Sequence, residues 1–220
     1  KKETFDQDIS SWDVSNVTNM SYMFHYAVSF NQNIGSWDVS KVSNMDGMFK
    51  DAWSFNKEIG NWNVSKVASM SDMFFGYTKP TSFNQDISNW NVSNVKDMDQ
   101  MFEAATSFNQ NISSWNVANV TDMYAMFYRA ILFNQNIGSW NSTNVTNMNR
   151  MFYQATAFNQ NISNWDVSNV TDVEAMFYQA TAFNQDLSNW NVTNIKNCSF
   201  FSVQANSWTL PKPTFINCQE

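Results

Sequence analysis

Apolar residues fall on a lattice along this chain. In the first unit Ile9, Trp12, Val14, Val17, Met20, Met23, Phe24 and Ala27 stand among small polar residues, and the order of spacings recurs downstream. The Trp12-Asp13-Val14 step alternates inward, outward, inward, as a short half-buried strand does. From Met20 to Ala27 the apolar residues stand at i, i+3, i+4 and i+7, a helical stripe of about two turns. Asn19 and its equivalents Asn44, Ser69, Asp97, Asp122, Asn147 and Asp172 stand just before that stripe, where helix N-caps belong. The spacing predicts, in each unit, a short strand, a turn, a short helix and a return loop.

The unit is 25 residues long and recurs from Phe5 through Phe30, Phe55, Phe83, Phe108, Phe133, Phe158 and Phe183, with a three-residue insertion near 76–81. Trp follows each Phe by seven residues, which accounts for eight of the ten tryptophans, and all 13 methionines occupy two further phases. A residue type confined to one phase is placed by packing, because each coil of a solenoid offers the same inward slots. The fold expected is therefore a leucine-rich-repeat-like α/β repeat solenoid, with short parallel strands on one face and short helices on the other. Its eight coils span 1–205, and a capping tail spans 206–220.

The order I-x-x-W-x-V, then V-x-x-M, then M-F-x-x-A, resembles leucine-rich repeats. It resembles more closely the BspA-type leucine-rich-repeat surface proteins of bacteria and the repeated domain of mycoplasma surface lipoproteins. The resemblance covers about 5–205 and implies display at a cell surface and protein-mediated adhesion, with no catalytic activity and no cofactor.

Composition narrows the function. Hydrophobic residues make up 43% and charged residues only 14%, so there is ample area for a core and the chain is not disordered. The net charge of −7 opposes binding to nucleic acid or to an anionic membrane, and no apolar run is long enough to span a bilayer. Lys1 begins no signal peptide, so the chain reads as a segment of a longer protein, secreted or displayed on a cell surface. The single histidine, His25, belongs to no repeated column and reads as a solvent-facing residue; no catalytic constellation, phosphate-binding glycine loop or metal site accompanies it.

Two surfaces are candidates for binding. The residue between Trp and Val is always Asn or Asp, and Asn63, Asn91, Asn116 and Asn141 form its central run. That column reads either as a hydrogen-bonding face for a protein or glycan, or as a ladder of amides bonded to one another along the stack. The second candidate is Tyr128, Tyr153 and Tyr178, one position in three consecutive coils, which reads either as a contact surface or as rings packed flat over their neighbours. Trp53, Ile131 and Leu132 break the repeat in return loops and are further candidate contacts.

Cys198 and Cys218 flank the segment where the repeat dissolves. A disulfide capping the open end is the reading adopted, with two buried free thiols as the alternative; a disulfide implies an oxidising compartment. Sequons at Asn16, Asn63, Asn91, Asn111, Asn119, Asn144, Asn161, Asn169 and Asn191 would obstruct stacking if glycosylated, which suits a bacterial source. The function expected is a non-enzymatic adhesion module for a protein or glycan on a host or neighbouring cell. The rival is a spacer rod that presents another domain and binds nothing.

Overall fold

The structure, a computed structural model, describes residues 2–218; the ends of the expected repeat region and tail, residues 1 and 219–220, lie outside it. Successive repeats stack as coils, but they contain neither the strands nor the helices that the spacing predicts. Among the described residues the one helical element is a 3-10 turn, Lys2–Thr4. Strand-like pairing is limited to isolated parallel bridges along the column Asn19, Asn44, Ser69, Asp97, Asp122, Asn147, Asp172 and Asn197. The α/β solenoid with separate strand and helix faces is therefore corrected to a stack of coils built from turns.

The reason lies in where the backbone hydrogen bonds go. Ile9 and Trp12, Val14 and Val17, Met20 and Met23, Phe24 and Ala27, and Ala27 and Phe30 each close a turn, the N–H of the second donating to the carbonyl of the first at 2.9–3.2 Å. These turns begin and end on residues of the apolar columns, so a chain of them yields the same i, i+3, i+4, i+7 stripe as a helix; the turn between them, Tyr22 to His25, lies outside the stripe. Between Met20 and Tyr26, alternate N–H groups leave their own coil. Met20, Tyr22, Phe24 and Tyr26 donate to the carbonyls of Asn44, Asp46, Met48 and Lys50 in the next coil, at 2.8–3.0 Å.

Turning every second amide toward the neighbour requires left-handed backbone. Tyr22 and Tyr26 have φ of 55° and 61°, and the same phases downstream include Gln100, Ala104, Ala125, Arg129, Arg150 and Gln154. For residues other than glycine this conformation costs on the order of 1 kcal/mol each. Each of these residues in the interior of the stack recovers an inter-coil bond, such as Ala125 N–H to the Asn149 carbonyl at 2.8 Å. The predicted cap chemistry is present without its helix: Asn19 Oδ1 accepts the N–H of Ser21 at 2.8 Å, and an Asx turn starts the segment instead.

The core is a double column of phenylalanines. Phe24, Phe49, Phe74, Phe102, Phe127, Phe152 and Phe177 stack at 5.5–5.7 Å between coils. Each lies 3.9–4.2 Å from the Phe that opens the following repeat, as Phe127 does from Phe133. The tryptophan column adds direction to the stack. Trp115 Nε1 donates to the Ile87 carbonyl of the preceding coil at 3.1 Å, and the bond recurs from Trp37 to Trp190. Trp12 has no preceding repeat in the structure and is 53% exposed, against 3% for Trp115.

The far end is closed. Trp208 and Phe215 meet Phe183 and Phe201 edge-on, at 79° in both cases, so no parallel ring face is left to continue the column. The Pro211 carbonyl accepts the N–H of Leu187 at 2.9 Å. The expected disulfide joins Cys198 to Cys218, with Cα atoms 5.9 Å apart.

Two outcomes follow for stability, both read by chemical denaturation. Trp115→Ala is expected to cost about 3–5 kcal/mol, whereas Trp12→Ala in the same column costs less than about 1 kcal/mol. Equal losses at the two sites would refute the inter-coil role of the indole. Cys198→Ser with Cys218→Ser is expected to cost roughly 3 kcal/mol, and an unchanged midpoint would show that the tail caps without its bond.

Candidate functional site

Most polar side chains are committed to the backbone. Asn63, Asn91, Asn116 and Asn141 are exposed, and their Oδ1 atoms accept the N–H two residues on, from Ser65, Ser93, Ala118 and Thr143, at 3.1–3.2 Å. These are local Asx turns, so the column does not form the amide ladder that its uniformity allowed, and no strand face lies beneath it. The ladders run elsewhere. Asn109 Oδ1 accepts the N–H of Asn134 and Gln135 Nε2 in the next coil, at 3.0 and 2.9 Å, which accounts for the recurrent Phe-Asn-Gln phrase. Asn119, Asn144 and Asn169 donate from Nδ2 to the carbonyls of Ser93, Ala118 and Thr143 in the preceding coil, at 2.7–2.8 Å.

Columns that vary follow closely on the parallel bridges in each repeat, at the phases of Tyr124, Arg150 and Tyr153. Here Tyr128, Tyr153 and Tyr178 are half-buried and stacked face to face, with centroids 4.5 and 4.7 Å apart and planes within 11°. The rings pack flat on one another, and they line a groove of about 540 Å³. Tyr124 and Glu174 share one column of the lining, Gln100, Arg150, Ala175 and the exposed Phe200 a second, and Glu103 continues the tyrosine row. Arg150 Nη2 pairs with Glu174 Oε1 at 2.7 Å, and its Nη1 donates to the Tyr124 hydroxyl at 3.4 Å.

Gln100, Ala175 and Phe200, and among the charged residues Arg150, Glu174 and Glu103, are groove residues that the sequence pattern did not single out. Their signal was available, since each interrupts a column occupied by another type in the neighbouring coils: Glu174 follows Asn149, and Glu103 precedes Tyr128.

One end of the groove is acidic. Burial pushes the Glu103 carboxyl up to about 7; the Asp72 and Asp99 carboxylates add to this, while the hydrogen bond from Gln100 and the charge of Lys50 oppose it. Burial likewise pushes Asp99 up to about 6 against the hydrogen bond from Ser71, with Asp97, Asp72 and Asp122 adding repulsion. Burial also raises Tyr128, helped by Tyr153 beside it.

The remaining candidates fall outside the groove. His25 is half-buried rather than solvent-facing, its ring edge-on to Tyr22 and Tyr26 at 5.6 and 4.8 Å. Trp53 lies under the Lys79 ammonium at 4.7 Å, and its indole donates to the wholly buried Asp51 at 3.1 Å. Asp51 Oδ1 also takes the N–H of Tyr77 at 2.8 Å and so fastens the inserted segment to the stack. Ile131 and Leu132 are exposed.

A group whose acid is weakened by folding binds its proton more tightly in the native state, so stability falls as pH rises toward its native pKa. For Asp99 and Glu103 that window runs from about 4 to about 7. The melting temperature is expected to be higher at pH 5 than at pH 8, and Glu103→Gln should narrow the difference by stabilising the protein at pH 8. Thermal melts across that range decide it, a rising profile in the parent being the contrary result.

A family model described as "Mycoplasma protein of unknown function, DUF285" matches residues 1–80, 75–143 and 114–212. No curated protein matches the chain.

Proposed function

We propose that this chain, which belongs to the DUF285 family of mycoplasma proteins of unknown function, is a non-enzymatic binding module displayed at the cell surface, adhering to a molecule on a host or neighbouring cell. The observation that carries the reading is the tyrosine groove. In a stack whose buried columns repeat because packing demands it, the groove lies on columns outside the core that change along the chain, as from Gln100 to Arg150 and Ala175, or from Phe75 and Glu103 to Tyr128. Half-buried tyrosines beside an arginine have the composition of contact surfaces, where large rigid rings bind at low cost in conformational entropy.

Surface display is supported by the disulfide, which belongs to an oxidising compartment. The sequon asparagines suit a bacterial source, since Asn119, Asn144 and Asn169 use Nδ2 to hold the neighbouring coil and would be encumbered by glycosylation. Kinship with BspA-type surface proteins enters this proposal through the sequence phrases alone, because the strand and helix faces of a leucine-rich repeat are not present.

The test is attachment of fluorescently labelled protein to cultured epithelial cells. Saturable attachment that falls on the order of tenfold in Tyr153→Ala, with the melting temperature held near the parent's, is expected. No attachment by the parent protein would favour the spacer reading.

A further inference from the structure

We infer that the groove between Tyr124 and the Tyr128, Tyr153, Tyr178 row takes an uncharged linear oligosaccharide lying along the axis of the stack. The inference rests on the binding role proposed above and names its ligand class. Charge comes first. Arg150, the cation in the lining, is neutralised by Glu174 at 2.7 Å, and Glu103 Oε2 accepts from Gln100 Nε2 at 2.7 Å. The groove therefore offers no unpaired cation to a sialylated, sulfated or phosphorylated ligand, which would also approach a chain of net charge −7.

The inventory of groups fits hydroxyls. Phenols donate and accept, the Gln100 amide does both, and the carboxyl oxygens of Glu103 and Glu174 accept. An oligosaccharide presents hydroxyls, which both donate and accept, along its whole length and can answer such a mixed lining, while its C–H faces suit the one exposed apolar ring there, Phe200.

Backbone and shape argue against a peptide. An added strand needs free backbone N–H and C=O groups. On this face the alternate amides are already used between coils: Ala125 N–H bonds the Asn149 carbonyl, and Arg150 N–H the Glu174 carbonyl, both at 2.8 Å. A protein anchor needs a deep apolar pocket, but the facing surfaces of the tyrosines are closed against each other at 4.5 and 4.7 Å. What remains is a channel lined by half-buried phenols that repeat at the pitch of the coils, with the small Ala175 next to Arg150 in its lining. An extended chain of sugar rings fits a shallow, hydroxyl-lined channel of this kind.

The test titrates cellotetraose, maltotetraose and chitotetraose, with sialyllactose as the anionic control, against the parent protein and Ala175→Arg. Arginine is tolerated at this phase, because Arg150 occupies it one coil earlier with φ of 58° against 52° at Ala175. Melting temperature confirms that the variant is folded. Saturable binding of a neutral tetrasaccharide, weakened on the order of tenfold or more by Ala175→Arg, is the expected result, with Tyr153→Phe giving a smaller loss because only the hydroxyl is removed. Binding of sialyllactose alone would overturn the charge argument, and neutral binding that survives Ala175→Arg would overturn the groove. Binding of no saccharide, with cell attachment still abolished by Ala175→Arg, would refute the glycan while leaving the adhesion role intact and pointing to a protein partner. Loss of neither saccharide binding nor attachment, because the parent shows none, would refute both.

Discussion

The interaction on which the rest of the structure depends is the backbone bond from one coil to the next, made by alternate residues of the Met20–Tyr26 segment and repeated in the interior coils. It fixes the distance between coils, and every other column must match that pitch. Phenylalanine rings stack at 5.5–5.7 Å because flat rings can be offset at that separation. Tryptophan reaches back to the preceding Ile carbonyl because its indole N–H would otherwise be buried without a partner. The left-handed residues are the backbone consequence, since a chain that sends every second N–H sideways cannot keep helical φ and ψ throughout.

The columns and the residues they bury were legible in the sequence because burial repeats with the coil. Ile87, Trp115, Met123 and Phe127 read as inward-facing, and all four are buried. The elements were not legible, and the reason is geometric. A succession of turns that open and close on residues of the apolar columns gives the same three-and-four spacing as a helix, so periodicity does not separate the two. Asn19 deepened the ambiguity, because its hydrogen bond to Ser21 N–H is the one an N-cap would make. Likewise Trp-Asn-Val alternates as a strand does, yet its central residue is there to close an Asx turn, as Asn116 does with Ala118 N–H. The disulfide was legible because Cys198 fills a methionine slot at the end where the repeat dissolves.

The site was legible in part. The tyrosine row stood out as a column of one residue type, but Arg150, Glu174 and Glu103 appear only as departures within columns, and the sequence does not show that those columns meet across a groove. The uniformity of the asparagine column has a local cause, since Asn63, Asn91, Asn116 and Asn141 each close a turn that every coil needs. In a stacked repeat, constancy through all the coils marks the residues that hold them together, and a column that changes along the stack, as His25, Lys50, Phe75 and Glu103 give way to Tyr128, Tyr153 and Tyr178, is free to serve another purpose. At the acidic end of the groove the carboxyl of half-buried Glu103, like that of half-buried Asp99 near it, is pushed up by desolvation.

The most direct test of this account is amide hydrogen exchange with φ determination by NMR in the middle coils. Ala125, Phe127 and Arg129 N–H groups, which bond to the carbonyls of Asn149, Met151 and Tyr153, should exchange only through global opening, with positive φ at Ala125 and Arg129 and negative φ at Met126 and Phe127. Continuous helical φ from Met123 to Ala130, with protection arising from i to i−4 bonds, would contradict it.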